Sequence, residues 1–335
     1  MRERPSKAYG LAAFAFCSLV HFSFSKSASA LLPIYGNDVV KDDNRVELQD
    51  QTSALAHEQG HAVAMVVDSS QVMPTSNNNW MNVAALPLGK KENLKPGTRF
   101  ENELAPGFCT GVLVGNSFIL TASHCVVATA NDDAKAACKT LAFVFDYYEQ
   151  QDALASKNRV KIPAANVYTC SDVSAIDLNV DFALLALDRP VEFRSPLSAL
   201  AQRAPITGEN VYMIGHPNGL PMKYTGPDPL LDVGQTNMRV QLDAFEGNSG
   251  SPIFSENDGS LIGLLVSGSI DTKPTQDGQY QEYTLYPTLT PAQWASPNPD
   301  KTPRFAEDLV RVDAPAIQNA LKQSLEIAEN VVVKR

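Results

Sequence analysis

The apolar positions of this chain fall in short runs broken by glycine, asparagine, aspartate and proline. Runs at 141–147, 160–162, 182–187, 210–214, 238–242, 252–255 and 261–267 each predict a strand. The clearest unit runs from Cys109 to Cys125, where two apolar β-type segments flank Gly115-Asn116, a hairpin signal. No long helical pattern interrupts this series. The pattern therefore predicts an all-β fold of barrels or a sandwich and argues against a βαβ sheet. No internal repeat recurs at a fixed period.

The flanks read differently. Residues 31–51 are polar, with Asp42, Asp43 and Asp50, and predict an extended arm. Residues 52–65 predict a short helix, after which Val63, Val66 and Val67 favour a strand. Residues 70–107, with Asn77-Asn78-Asn79 and several prolines, read mostly as loop. Proline-rich residues 288–303 read as a linker. Beyond it Asp313 can cap a helix that tolerates an early Pro315 and carries Ile317, Leu321, Leu325 and Ala328 as a stripe for packing on the body.

The first thirty residues change the picture. Arg2, Arg4 and Lys7 precede an apolar run over 11–24, and Ala28-Ser29-Ala30 supplies small residues for cleavage, the pattern of a secretory signal peptide. No later stretch is long and apolar enough to span a bilayer. The mature chain is thus expected to be soluble and secreted or periplasmic. Loss of Arg2, Arg4, Lys7 and Lys26 with Glu3 removes a net +3 and takes the formal charge from −10 to −13. An acidic chain without a basic stripe is unsuited to nucleic acid. Cys17 leaves with the leader, and Cys109, Cys125, Cys138 and Cys170 remain. An even number in an exported protein suggests two disulfides, with three pairings open.

Candidate chemistry centres on Glu246-Gly247-Asn248-Ser249-Gly250-Ser251-Pro252. A serine between glycines can sit on a tight turn that exposes its hydroxyl and aims the Gly247 and Ser249 N–H groups at one point, as an oxyanion hole requires. Amide hydrolysis also needs a base and a group to hold that base. His124, in Thr121-Ala122-Ser123-His124-Cys125, is the candidate base. Asp181, just before an apolar run, is the candidate orienter, and Asp177 competes with it. A separate signal, His57-Glu58-Gln59-Gly60-His61, fits the HExxH zinc pattern but lacks a marked third ligand.

The Cys109–Cys125 unit ending in Thr-Ala-Ser-His-Cys, Asp181 before its strand, and Gly-Asn-Ser-Gly-Ser-Pro follow in the order His, Asp, Ser. Together they resemble the chymotrypsin-like (trypsin-like) serine endopeptidases over roughly residues 60–290, and within them the bacterial glutamyl-endopeptidase-like branch, where a stretch such as Gly215-His216-Pro217-Asn218-Gly219-Leu220-Pro221 recurs. The resemblance implies two six-stranded antiparallel barrels with the site in the cleft between them. It implies Ser249 as nucleophile, His124 as base and Asp181 as its holder, an acyl-enzyme, an oxyanion hole from Gly247 and Ser249, and protein or peptide substrates without cofactor or metal. It also implies the pairs Cys109–Cys125 and Cys138–Cys170. The domain division expected is a leader at 1–30, an arm or propeptide at 31–60, the peptidase domain at 61–290, and a linker with C-terminal helix at 291–335.

Two departures matter. Asn248 stands where digestive members carry an aspartate that pairs with a freed N-terminal amine, so no switch of that kind is expected. Asp243 lies six residues before Ser249, where a carboxylate would favour lysine or arginine, whereas Ser267 replaces the histidine of glutamyl endopeptidases. Both are candidate substrate-binding residues. The alternatives are a catalytically inactive binding protein of this fold, and a zinc peptidase using His57, Glu58 and His61.

Overall fold

The computed structural model describes residues 43–148, 158–197, 203–298 and 304–332, with side chains to Ser324. The expected leader, and the arm up to residue 42, lie outside the described residues. Within them the chain forms two closed antiparallel barrels. The first consists of β1 (Val63–Asp68), β2 (Cys109–Val114), β3 (Phe118–Thr121), β4 (Leu141–Phe145), β5 (Val167–Asp177) and β6 (Phe182–Leu187). It closes in the order β6-β3-β2-β1-β4-β5. The second consists of β7 (Asn210–Gly215), β8 (Lys223–Val233), β9 (Asn237–Val240), β10 (Pro252–Ser255), β11 (Leu261–Ser267) and β12 (Glu307–Arg311). Its ring runs β8-β7-β10-β11-β12-β9 and closes through the β8–β9 pair.

The two rings have one topology. In each, the first strand pairs with the second and fourth, the third with the second and sixth, and the fifth with the fourth and sixth. The repetition lies in backbone pairing, which any sequence with suitable alternation satisfies, so no period is visible in the residues. Closure removes the open sheet edges that would otherwise invite pairing with other chains.

The strands follow burial. All residues of β2 and β4 are buried, which explains why they read as continuous apolar runs. By contrast β5 shows an exposed, polar face with Thr169, Ser171 and Asp172, and β8 contains Gly226, Pro227, Asp228 and Pro229, so neither was expected from the pattern. The strand Glu307–Arg311 also lies beyond the boundary expected at 290. It pairs with both β9 and β11 and completes the second ring, so the stretch before it is a connection within the barrel. Residues 70–107, read mostly as loop, contribute Trp80–Ala84 to a small sheet with Val72–Pro74 and Arg159–Pro163. A short strand at Val46–Glu47 adds to β8. The C-terminal helix spans Pro315–Val332, and its Ile317 and Leu321 are buried in the core, as the stripe predicts.

Cys109 is bonded to Cys125 and Cys138 to Cys170. These are the pairs that the family resemblance implied. The first closes a loop with a sequence separation of 16, which on the chain-entropy argument stabilises the fold by about 3 kcal/mol. Its larger consequence is positional, because it ties the segment after β3 back to the start of β2.

Candidate active site

Register brings the first two candidate residues together. β3 and β6 pair with Thr121 opposite Ala183. His124 follows that pair on one strand and Asp181 precedes it on the other, so both lie at the same end of the barrel. Asp181 has a left-handed backbone (φ 60°) that turns the chain into β6. Its Oδ2 lies 2.8 Å from His124 Nδ1, while its Oδ1 accepts from Ser123 Oγ (2.6 Å) and the His124 backbone N–H (3.1 Å). Burial opposes ionisation of this carboxyl. The hydrogen bonds from His124 and Ser123 outweigh it and hold the pKa below the usual value. Asp177 is occupied elsewhere: its Oδ1 accepts from the backbone N–H groups of Asn179 (2.8 Å) and Val180 (3.1 Å), closing the turn before Asp181.

The serine comes from the second barrel. Ser249 is half-buried in a turn that enters β10, flanked by Gly247 (φ 89°) and Gly250 (φ 84°). A Cβ on Gly250 would fall 2.1 Å from Thr110 O, so the turn approaches the first barrel more closely than a side chain permits. Two bonds fix that approach: Thr110 N–H donates to Ser249 O (2.8 Å), and Thr110 Oγ1 donates to Gly247 O (2.8 Å). Thr110 lies on β2, the neighbour of β3. The serine turn is thereby tied to the barrel that carries His124. Among the described residues, the N–H groups of Gly247 and Ser249 donate to no protein acceptor.

Residues 215–221 support this turn from behind. A Cβ on Gly247 would meet His216 O at 2.7 Å and Asn218 N at 2.8 Å. The Asn218 N–H donates to Glu246 O, and Lys91 Nζ donates to Asn218 O (2.8 Å) and Gly107 O (3.0 Å). His216 is fully buried, and desolvation lowers its pKa to about 4, so it packs as a neutral ring with Nδ1 on Leu220 O (2.9 Å). Asn248 is fully buried beneath Ser249 and its Oδ1 accepts from Ser251 Oγ (3.3 Å).

Residues 109–264 match the family model of the trypsin-like peptidase domain. That match covers a little under half of the chain. Its architecture is similar to that of a Glu endopeptidase solved in complex with MPD, at 14% identity and a TM-score of 0.47 over 85% of this chain and 98% of that one. It is also similar to an inactive mutant form of Rv3671c from M. tuberculosis H37Rv, at 13% identity and a TM-score of 0.44 over 81% and 90% of the two chains. No curated protein matched the sequence.

The remaining candidate residues separate. The HExxH segment lies mostly in the helix Ala54–Gly60. There His57 Nε2 contacts Gln51 O at 2.5 Å, whereas His61 Nδ1 contacts Asp146, which Arg194 also grips through two nitrogens. Among the described residues, neither histidine belongs to a cluster of three metal-ligating groups. Ser267 lines a cavity of about 360 Å³ beside Ser249. Asp243 does not line it. Its Oδ2 instead accepts from the Asn44 backbone N–H (2.6 Å), part of an N-terminal segment whose Arg45 is fully buried, paired with Asp43 and stacked 3.7 Å over Phe245. Sequence reasoning treated that segment as a loose arm, since nothing local reveals that a distant aromatic ring and carboxylate receive it.

Burial raises the pKa of Asp243 to about 7 against the opposing Asn44 hydrogen bond, with Asp43 and Asp228 nearby. A raised carboxyl pKa means that the folded state binds more protons, so stability is lost as pH rises from about 4 to 7, by about 4 kcal/mol for a lone group. Asp228 and Asp271, each raised to about 6, tilt stability the same way. Asp243→Asn, which keeps an acceptor for Asn44, should therefore lose less stability than the wild type between pH 5 and pH 8. Urea midpoints at the two pH values measure this, and equal losses in the two proteins would contradict it.

Proposed function

We propose that the protein is an exported serine endopeptidase that hydrolyses peptide bonds through an acyl-enzyme. The observation that carries the proposal is the His124–Asp181 bond at one barrel's end, with Ser249 tied to that barrel through Thr110. Ser249 attacks the scissile carbonyl, and His124 accepts its proton and returns it to the leaving amine. Asp181 keeps the Nδ1 proton in place and stabilises the imidazolium as it forms. The Gly247 and Ser249 N–H groups receive the oxyanion, a term worth roughly 3 kcal/mol per donor. Water then repeats the sequence on the ester. No metal ion or cofactor is needed by these steps. The two disulfides suit an oxidising compartment, and no helix among the described residues is long and apolar enough to cross a membrane.

The test is covalent. A fluorophosphonate probe should label the folded protein once, on Ser249, as located by peptide mass spectrometry. Folded protein that takes no label, or takes it elsewhere, would overturn the proposal and favour a binding protein built on the same fold.

A further inference from the structure

Lys91 takes no part in the proton transfers, yet its ammonium reaches the turn that backs the serine. It ends the short helix Leu88–Lys91, in the stretch between β1 and β2. Its Nζ donates to Gly107 O (3.0 Å), at the entry to β2, and to Asn218 O (2.8 Å), in the turn after β7. The first carbonyl leads into the barrel of His124, and the second belongs to the barrel of Ser249. The two backbones also touch directly there, since a Cβ on Gly219 would fall 2.1 Å from Gly107 O. The ion pair of Lys91 with Glu92 is long, at 4.0 Å, so the ammonium is committed chiefly to the two carbonyls. Burial lowers its pKa, against the opposing charges of Glu92 and Glu246.

What lies beyond Asn218 gives its bond to Lys91 a consequence. Asn218 has a left-handed backbone (φ 54°), a conformation that asparagine tolerates but does not prefer. Held so, its N–H donates to Glu246 O. The Glu246 carbonyl and the Gly247 N–H belong to one peptide unit, and in a planar trans peptide they point in opposite directions. A donor fixed on Glu246 O therefore aims the Gly247 N–H to the other side, where it meets no protein acceptor among the described residues. If this unit turned over, its carbonyl would stand where the oxyanion must be received, and one donor would be lost. Gly247 makes such a turn easy, because glycine adopts either sign of φ about equally well. Thr110 Oγ1 does not prevent it, since it binds Gly247 O and so holds the following peptide unit.

We propose that Lys91 is a positioning residue for the oxyanion hole: by holding Asn218 O it keeps the Glu246–Gly247 peptide turned with its N–H toward the substrate carbonyl. The proposal deepens the serine-endopeptidase reading and rests on it. It gives a task at the site to the stretch between β1 and β2, which supplies neither nucleophile, base nor orienter. Docking of that stretch does not depend on the ammonium, because Leu88, Leu94 and Ala105 form a buried apolar cluster with Leu220, next to Gly219. A neutral side chain at position 91 should therefore leave the fold in place and free only the peptide unit.

The experiment replaces Lys91 with methionine, which keeps the stem and removes the donors. On a cleaved peptide kcat should fall roughly a hundredfold, the scale of one lost oxyanion donor. KM should stay nearly unchanged, because the lost interaction is made only in the transition state. A peptide aldehyde, whose adduct with Ser249 carries the oxyanion, should lose affinity by the same factor, and the matching peptide alcohol, which forms no adduct, should lose none. Lys91→Cys should behave like Lys91→Met until it is treated with 2-bromoethylamine. The thiolate then displaces bromide and gains a lysine-like ammonium, which should restore most of the lost rate; treated wild type is the control. The side chain at this position is 30% exposed, and the cysteines of the described residues are already paired, so the new thiol is the one that reacts. An unchanged kcat in folded Lys91→Met, aldehyde and alcohol weakened alike, or no recovery on alkylation would overturn the assignment and leave the peptidase reading standing. Wild-type protein that neither takes the fluorophosphonate nor cleaves peptide would remove both.

Discussion

Replacing Ser249 with alanine is expected to lower turnover of a peptide substrate by roughly a millionfold, the scale seen when a triad nucleophile is removed. The loss should come without unfolding. The serine turn is held by backbone groups that alanine retains, the Thr110–Ser249 bond and the Gly250 N–H donating to Leu265 O (2.7 Å). Gly247 and Gly250 continue to supply the left-handed positions. Residual hydrolysis from the oxyanion donors and from substrate binding should remain above the uncatalysed rate. The measurement is kcat on a cleaved peptide, with thermal unfolding as the control for folding. Turnover within a hundredfold of wild type in a folded variant would show that Ser249 is not the nucleophile.

Asp181→Asn should cost roughly ten-thousandfold in kcat, for a different reason. The carboxylate accepts three hydrogen bonds, from the His124 ring, the His124 backbone and Ser123. An asparagine can still accept at Oδ1, but its amide nitrogen would face Nδ1 and donate to it. That favours the imidazole tautomer whose Nε2 carries the proton, which cannot take one from Ser249. Geometry survives and basicity at the working nitrogen is lost. Labelling by the fluorophosphonate should slow in parallel, because it depends on the same proton transfer. Asp177→Asn is the internal comparison, since Asp177 only closes the turn at Asn179 and Val180; a few-fold change at most is expected there. Equal effects of the two substitutions would argue that the segment is merely structural.

Much of the site was legible because its parts are local. Thr121-Ala122-Ser123-His124-Cys125 ends a strand, Asp181 begins one, and the glycines around Ser249 mark a turn, each visible within a few residues. Their order along the chain then pointed to one arrangement. The choice of Asp181 over Asp177 rested on the family resemblance, since both precede the same apolar run. Strand register decides it by placing Asp181 beside His124.

The strands were legible in proportion to how apolar they are. Those buried on both faces, such as Leu141–Phe145, stood out. Lys223–Val233 did not, because glycine, prolines and aspartates interrupt it, even though the strands that pair with it on both sides are its neighbours in sequence. The same holds for Glu307–Arg311, which follows a proline-rich stretch and looks like a tail until the ring is closed. Asp243 shows the converse. Its position before Ser249 suggested a substrate-binding carboxylate, but Asn44, some two hundred residues away in sequence, meets it.

By itself, then, the sequence determined the all-β class, His124, Ser249 and a favoured aspartate, Asp181, as candidate chemistry, and the cysteines able to anchor the histidine, because turns, strands and reactive side chains are written in nearest neighbours. Only the tertiary structure decided which aspartate faces His124, that Thr110 joins the serine turn to the other barrel, and that Glu307 rather than Asp243 lines the cavity beside Ser249. Those facts depend on register and ring closure between residues far apart in the chain, and a strand's own residues do not say which partner it will meet.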